Sequence, residues 1–361
     1  MVRLAIDGRP LVGNRTGIGV HTAEIAGRLG FTPPPLIASH REITERRGVE
    51  ECRFDVVPSF RGVWWQQVHF PAVVRRHECE VVWGPHGTLP LRLDVPAVVS
   101  VHDLTSITMA HRHRTKTVLS FNLLIGASLE RAITVAAVSQ TTAGEVMRGF
   151  GIPARKIGIV PNGVDPFFSP GTGDPLPEGI SDDFVLYTGT IEPRKGIGDL
   201  LAAWRQLPSP RPQLVLCGDP GWGTRQIRRE LARYAPSEVM VTGFVSREDL
   251  RALYRRARLF VYPSRFEGFG LPPLEAMACG TAVVAARGGA IPEVLGDAAE
   301  LIEPGDVEGL RRAMRRVLEE PTLRDELLQR GIERAALFSW DASASRMREL
   351  IRAAANREGE R

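Results

Sequence analysis

The chain has 361 residues, 46 basic and 42 acidic side chains and a formal net charge of +4. That length exceeds one ordinary core and points to two domains of roughly 100–200 residues. Hydrophobic content of 43% with 24% charged residues excludes a disordered or collagen-like chain. No apolar run reaches the ~18–20 residues that a bilayer span requires. The N-terminus, "MVRLAIDGRP", enters a strand-like run at once, with no secretory leader, so a cytoplasmic protein is expected. Lysine occurs only at Lys116, Lys156 and Lys195. The arginines lie beside glutamates along amphipathic stretches and read as solvated helix faces, not as a nucleic-acid surface. The densest basic run, His111–Lys116, is either a solvated loop or a contact for an anionic acceptor or membrane. Cys52, Cys79, Cys217 and Cys279 have no CxxC spacing and read as buried reduced thiols.

In chain order, short apolar runs alternate with helical patterns. Strands are predicted at 2–7, 52–57, 79–84, 97–102, 133–139 and 157–161, then at 184–189, 213–218, 239–243, 258–264 and 281–286. Continuous rather than alternating apolar character fits parallel strands covered on both faces. Helices between them give an α/β chain with two doubly wound sheets. Between the two series lies 160–183, with five prolines and four glycines, which reads as an interdomain linker.

The first candidate site is "GNRTGIGVHTAEIAGRL" (13–29). A strand ends at Asp7 and a helix begins near Ile18, so Gly17 and Gly19 stand where loop N–H groups attract an anion. The full GxGxxG spacing is absent, as is the acid about 20 residues on that a dinucleotide fold requires. In "AVVSVHDLTS" (97–106), His102 and Asp103 fall at the carboxyl end of a strand, where α/β sheets bind ligands. Imidazole there can donate to a sugar hydroxyl or accept a proton; a local turn bond from Asp103 explains the pair equally well. In "FVLYTGTIEPRKGI" (184–197) a strand ends at Gly189. Arg194 and Lys195 then stand at a helix start, where the helix dipole disfavours cations. An anion between them and the helix resolves the conflict, and a diphosphate fits. In "VTGFVSREDLRALYRRA" (241–257), Phe244 and Val245 precede a capped helix and could flank a planar base. "PSRFEGFGLPPLEAMACG" (263–280) puts Glu267 in a loop and Glu275 one turn into a helix starting near Leu271, with Pro272 and Pro273 in the first turn. A carboxylate beside that loop suits a vicinal diol, accepting two O–H donors. No DxD run occurs.

"EPRKG" followed by "PSRFEGFGLPPLEAMACGTAVVAA", together with "GIGVHT", "VHDL", "VSQTTAGEV", "IVPNGVDPFF", "GGAIPEV" and "FSWD", resembles the retaining GT-B glycosyltransferases of family 4. The likeness covers essentially the whole chain, and "GTIEPRK" with "TGIG" looks most like a bacterial mannosyltransferase-like subgroup. The family's Glu-x7-Glu motif falls on Glu267 and Glu275. The resemblance implies a GT-B fold, two Rossmann-like domains facing across a cleft. Residues 1–163 would bind the acceptor, with 340–361 packing back on them, and 164–339 would bind the donor. It implies that Arg194 and Lys195 hold the donor diphosphate, Glu267 the hexose, Glu275 the ribose and His102 the sugar at the reaction centre. Gly17, Gly19, Gly189, Thr190, Val245, Gly268, Phe269, Gly270 and Leu271 would complete the donor site, with Asp103 and Arg15 on the acceptor. Thr190 stands where many members carry arginine, which puts one phosphate contact in doubt.

The activity implied is metal-independent, retaining transfer of a hexose, mannose from GDP-mannose by preference, to a glycan, lipid-linked or small-molecule hydroxyl. No cofactor is expected beyond the GDP- or UDP-sugar, and no nucleic acid; a peripheral contact with the inner face of the membrane is left open. A UDP-glucose or GlcNAc-type transferase is the alternative, and a catalytically inactive nucleotide-sugar-binding protein is the alternative of another class. The latter predicts loss of Arg194, Lys195, Glu267 or Glu275, and all four are present. A phosphorylase would need a lysine placed for pyridoxal phosphate, and none of the three is so placed.

Overall fold

The computed structural model describes residues 1–15, 17–104, 116–221 and 223–356, with side chains in 116–131 described from 123 onward. The chain divides into two compact units, Met1–Gly163 with Ser339–Arg361, and Val164–Phe338. The basic run 111–116 lies outside the described side chains.

The first unit contains β1 (Leu4–Asp7), β2 (Leu36–Ser39), β3 (Arg53–Val56), β4 (Val81–Gly84), β5 (Ala97–Val101), β6 (Thr134–Ala137) and β7 (Ile157–Ile159). They pair in the order β3-β2-β1-β4-β5-β6-β7, every pair parallel. β1, β2, β4 and β5 are buried along their whole length, which is why their sequences run apolar without alternation. Helices α1 (Gly17–Ala26), α2 (Gly62–Trp64), α3 (Phe70–Arg76), α4 (Lys116–Arg131) and α5 (Gln140–Phe150) follow the strands. A π-helical turn, Trp65–His69, joins α2 to α3. The core beneath them centres on Trp65 stacked on Phe70 at 5.3 Å.

The second unit holds β8 (Phe184–Thr188), β9 (Gln213–Cys217), β10 (Val239–Gly243), β11 (Leu259–Tyr262), β12 (Val283–Ala286) and β13 (Glu300–Ile302). Their order is β10-β9-β8-β11-β12-β13, again all parallel. Its helices are α6 (Ile197–Arg205), α7 (Arg225–Leu231), α8 (Arg247–Arg256), α9 (Leu271–Ala278), α10 (Ile291–Leu295), α11 (Val307–Glu319) and α12 (Pro321–Ala335). The last helix, α13 (Trp340–Asn356), belongs to the first unit. It packs on α1 and on β4, β5 and β6, burying Trp340, Ala344, Met347, Ile351 and Ala354.

Two strands are absent from the sequence reading. β2 is four residues following Pro33, Pro34 and Pro35, and β13 is three half-buried edge residues. Both are too short to show a period. The stretch read as a linker also differs: residues 164–183 belong to the second unit. Asp174 takes the guanidinium groups of Arg251 (3.1 Å) and Arg255 (2.8 Å), and Asp165 that of Arg247 (2.8 Å). Arg247 and Arg251 also lie over the Phe167 ring, each at 4.3 Å. Proline and glycine content reported the irregular backbone correctly; the anchoring partners lie about 80 residues away, beyond any local pattern.

Candidate active site

In each sheet the strand order reverses at one place, between β1 and β4 and between β8 and β11. Loops leaving the carboxyl ends of such neighbouring strands diverge and open a crevice. In the second unit these loops are 189–196 and 263–270.

After β8, Pro193–Lys195 forms a single 3-10 turn, and Gly196 turns the chain into α6 with φ +71°. A side chain at Gly196 would place its Cβ 2.2 Å from the Pro263 carbonyl oxygen, so only glycine lets the two loops touch. Lys195 is thereby turned inward. Its Nζ donates to Glu267 Oε1 at 2.6 Å and to the Tyr262 hydroxyl at 3.2 Å, and both Lys195 and Glu267 are buried. The Ser264 hydroxyl donates to the same Oε1. Arg194 donates through Nε to Glu192 at 3.1 Å and through Nη1 to the Phe266 carbonyl at 2.7 Å; its guanidinium also lies 3.7 Å from Glu267. Two cations and two carboxylates therefore lie in one nearly neutral cluster. Sequence reading brought Arg194, Lys195 and Glu267 to one site but assigned the cations to an external anion alone. It missed their internal counter-charges and gave Glu192, in the same five-residue motif, no role, although Arg194 pairs with it.

Glu267 is held from a third side: its amide donates to the Gly288 carbonyl, and its carbonyl accepts from the Ala290 amide at 2.8 Å. Gly270 is the N-cap of α9, which has no side-chain cap. Pro272 and Pro273 remove two donors of the first turn, and the Leu271 amide remains beside the loop. Glu275 follows one turn on. Its Oε2 accepts from the Tyr254 hydroxyl at 3.0 Å, and burial pushes its carboxyl up to about 7 despite that bond and the nearby Arg247. Gly189 and Gly268 lie in the same loops. Phe269 turns into the core, edge-on to Phe338 at 5.7 Å. Val245 is half-buried after β10, and its neighbour Phe244 is 65% exposed. The carbonyl of Thr190 accepts from the Tyr187 hydroxyl at 3.0 Å, so this residue shapes the loop through its backbone.

In the first unit the crevice between β1 and β4 is polar. Asp7, fully buried, binds Arg9 through both oxygens and accepts from Gln66 Nε2 at 2.9 Å. Burial opposes its ionisation, but the Arg9 charge and hydrogen bonds together with nearby His86 hold the Asp7 carboxyl below its usual range. Three histidines approach this edge. His102 follows β5 and donates through Nε2 to the Pro85 carbonyl at 2.8 Å. A carbonyl only accepts, so the neutral ring has its lone pair at Nδ1 and can accept from a hydroxyl but not donate to one. His21 lies edge-on to His102 at 4.5 Å and bonds Asn162 Oδ1 through Nδ1 at 2.7 Å. Burial lowers the pKa of His21, His86 and His102, that of His86 to about 4. Asp103 directly follows His102. Gly17 opens α1, and Gly19 lets that helix meet the turn at 9–11, since a Cβ there would lie 2.6 Å from the Pro10 carbonyl. Arg15 departs from its expected acceptor role. Its side chain is 4% exposed, with the guanidinium bound to the carbonyls of Glu45 and Arg47, so it pins a turn and presents nothing outward. Of these groups, Asp7 was read only as a strand end, and Arg9, His21 and His86 were given no role in the sequence reading.

Two Rossmann-like units built on parallel sheets, with a cation–carboxylate cluster at the switch point of the second, define the GT-B class of fold. Residues 176–334 match the family model of glycosyl transferases group 1, and residues 17–168 match that of glycosyltransferase family 4. The chain is 34% identical over 279 residues to O-antigen chain mannosyltransferase B of Escherichia coli, covering 74% of this chain and 73% of that one. Among solved structures it is similar to a sucrose-phosphate synthase of Thermosynechococcus elongatus (TM-score 0.81, 22% identity, 98% and 99% of the two chains). It is similar also to the Anabaena protein HepE in complex with UDP-glucose (TM-score 0.79, 20% identity, 98% and 100%). The chain belongs to the group 1 glycosyltransferases and is a transferase enzyme.

Proposed function

We propose that the protein is a retaining, metal-independent mannosyltransferase that takes mannose from GDP-mannose and delivers it to a hydroxyl of a glycan or lipid-linked acceptor. The observation that carries this reading is the Lys195–Glu267 contact of 2.6 Å at the switch point of the second unit. It sets a cation for the donor diphosphate directly beside a carboxylate for the hexose hydroxyls. The preference for mannose rests on the E. coli relative named a mannosyltransferase. A UDP-glucose-type donor is the competing choice, favoured by the UDP-glucose bound to the similar HepE structure.

In this mechanism the donor diphosphate meets Lys195, Arg194 and the start of α9, while Glu267 exchanges its lysine bond for bonds from the hexose. Glu275 accepts from the ribose hydroxyls, and Gly17, Gly19, Gly189, Thr190, Gly268, Gly270 and Leu271 supply backbone close to the donor. Val245 contacts the base through its backbone. The first unit binds the acceptor, with Asp103 on its hydroxyls and His102 accepting through Nδ1 from a sugar hydroxyl. The bond from C1 to the diphosphate oxygen breaks as the acceptor oxygen forms a bond to C1 on the same face. The acceptor proton passes to the departing diphosphate. Lys195, Arg194 and helix N-termini stabilise the negative charge that grows there, which is the work a metal ion would otherwise do.

A panel of GDP- and UDP-sugars, assayed for transfer and hydrolysis with and without EDTA, tests this. GDP-mannose turnover unchanged by EDTA is expected. Turnover of UDP-glucose alone transfers the reading to the competing donor, loss with EDTA removes metal independence, and no binding of any sugar nucleotide at millimolar concentration removes the enzyme reading.

We also place the protein on the cytoplasmic side, peripheral to an anionic membrane. No described helix is long and apolar enough to cross a membrane. In the first unit, however, Phe60 (99% exposed), Val63, Trp64 and Val68 stand in water beside the exposed Arg61. Asp55 and Asp94 of the same unit pair with Arg76 and Arg75. Exposed aromatic and aliphatic groups beside an exposed basic side chain suit an interfacial contact. Co-sedimentation with phosphatidylglycerol vesicles that is lost in F60S/W64S is expected; equal binding to phosphatidylcholine, or none to either, refutes it.

A further inference from the structure

Tyr254 lies on α8, far from Glu275 in sequence and fully buried. Its ring meets Phe168 at 5.7 Å and Phe260 at 5.7 Å, both edge-on. The Thr281 hydroxyl donates to its backbone carbonyl. Nothing about packing requires a hydroxyl on this ring, yet the hydroxyl is there and has two partners. It donates to Glu275 Oε2 at 3.0 Å and lies 2.9 Å from Thr188 Oγ1. A tyrosine has one proton. Once it is given to Glu275, the Thr188 hydroxyl must be the donor to Tyr254. The chain of donation therefore runs one way, from the carboxyl end of β8 through α8 to α9.

We propose that Tyr254 is a positioning residue for the donor site: its hydroxyl, oriented by Thr188, fixes Oε2 of Glu275 and leaves Oε1 to take the ribose hydroxyls of the nucleotide sugar. The ribose part of this proposal rests on the donor reading above; the relay does not. Networks of this kind matter because an unpaired carboxylate in such surroundings would favour its protonated form, which accepts hydroxyl donors more weakly and carries a proton that itself needs an acceptor. The groups facing Glu275 are Tyr254 and Arg247 on α8, Asp165 on the segment before β8 and the Cys279 thiol at the end of α9. Tyr254 and Arg247 favour the charged carboxylate, while Asp165 and burial oppose it. Removing the tyrosine hydroxyl therefore raises the Glu275 pKa further.

The experiment is 13C-carboxyl NMR of glutamate-labelled protein without ligand, with E275Q identifying the resonance, joined to kinetics with GDP-mannose and UDP-glucose. Glu275 is expected to titrate near neutrality in the unaltered protein. Y254F keeps the ring and its neighbours. It should move that titration to higher pH and raise the donor KM ~10-fold at pH 7, with kcat within ~2-fold, the size expected for one hydrogen bond to a charged group. T188V, which leaves Glu275 untouched, should give a smaller shift in the same direction. In an E275Q background, Y254F should add nothing to KM. An unmoved titration in folded Y254F overturns the relay, as does the same KM loss in the E275Q background. If neither nucleotide sugar is used while Y254F still moves the titration, the relay stands and the donor reading falls.

Discussion

Glu267 and Glu275 come from one motif yet meet opposite surroundings. Glu267 lies against Lys195, Arg194 and Ser264. Glu275 has a neutral tyrosine as its hydrogen-bond partner, Arg247 and Asp165 act on it in opposite directions, and burial pushes its carboxyl up to about 7. Two consequences belong to this scale. Lys195→Ala is expected to lower kcat by ~10²-fold or more, because the lysine faces charge that grows as the diphosphate leaves; steady-state turnover with the accepted donor checks it, and wild-type turnover counts against it. The raised carboxyl also links stability to pH. In the unfolded chain Glu275 ionises near its ordinary value of 4.5, while in the folded protein it holds its proton until about 7. The protonated form thus favours the fold below about 4.5, and that contribution is lost as pH rises through 7, on the order of 3 kcal/mol. E275Q should flatten this decline in chemical denaturation at pH 5 and pH 8, gaining stability at the higher pH while weakening donor binding. A stability profile identical to the unaltered protein would show that the site is wetter than its packing indicates.

At the scale of elements, the loops after β8 and β11 act as one object because Gly196 lets them touch. Gly196→Ala places a Cβ against the Pro263 carbonyl and asks alanine to adopt φ +71°. It is expected to destabilise the protein by about 2 kcal/mol or more and to reduce turnover along with Lys195→Ala, both measured on the purified variant. Full stability and activity in that variant would mean that the contact is easily relieved. The same scale shows what could be read in advance. Continuous apolar runs revealed all but two of the strands; in β1, β4, β5, β8, β9, β11 and β12 they reflect burial along the whole strand, which admits no polar alternation. α8 and α9 were visible through the Ser246–Asp249 capping pair and the double proline. Tyr254 was not, because a tyrosine at a buried helical position looks like any other core aromatic until its hydroxyl finds Glu275.

For the whole molecule, the chain enters the second unit at Val164 and returns to the first at Ser339. Deleting 340–361 removes α13 from α1, β4, β5 and β6, exposing the apolar face that Trp340, Met347 and Ile351 cover. Each such side chain contributes about 1.5–3 kcal/mol by burial. Calorimetry of the truncated protein should show one unfolding transition strongly lowered or lost and the other unchanged; a uniform shift of both would mean that the units do not melt separately. The sequence by itself determined the α/β class, the parallel sheets, the family and the motif residues Arg194, Lys195, Glu267 and Glu275, because each of these is carried by short-range pattern. Tertiary structure alone decided which charges neutralise each other, that Arg15 is committed to a turn, that Asp165 and Asp174 anchor residues 164–183, and that His102 has its lone pair at Nδ1. Those properties depend on partners brought together across tens of residues, and burial, which sets their strength, exists only once the sheets have closed over them.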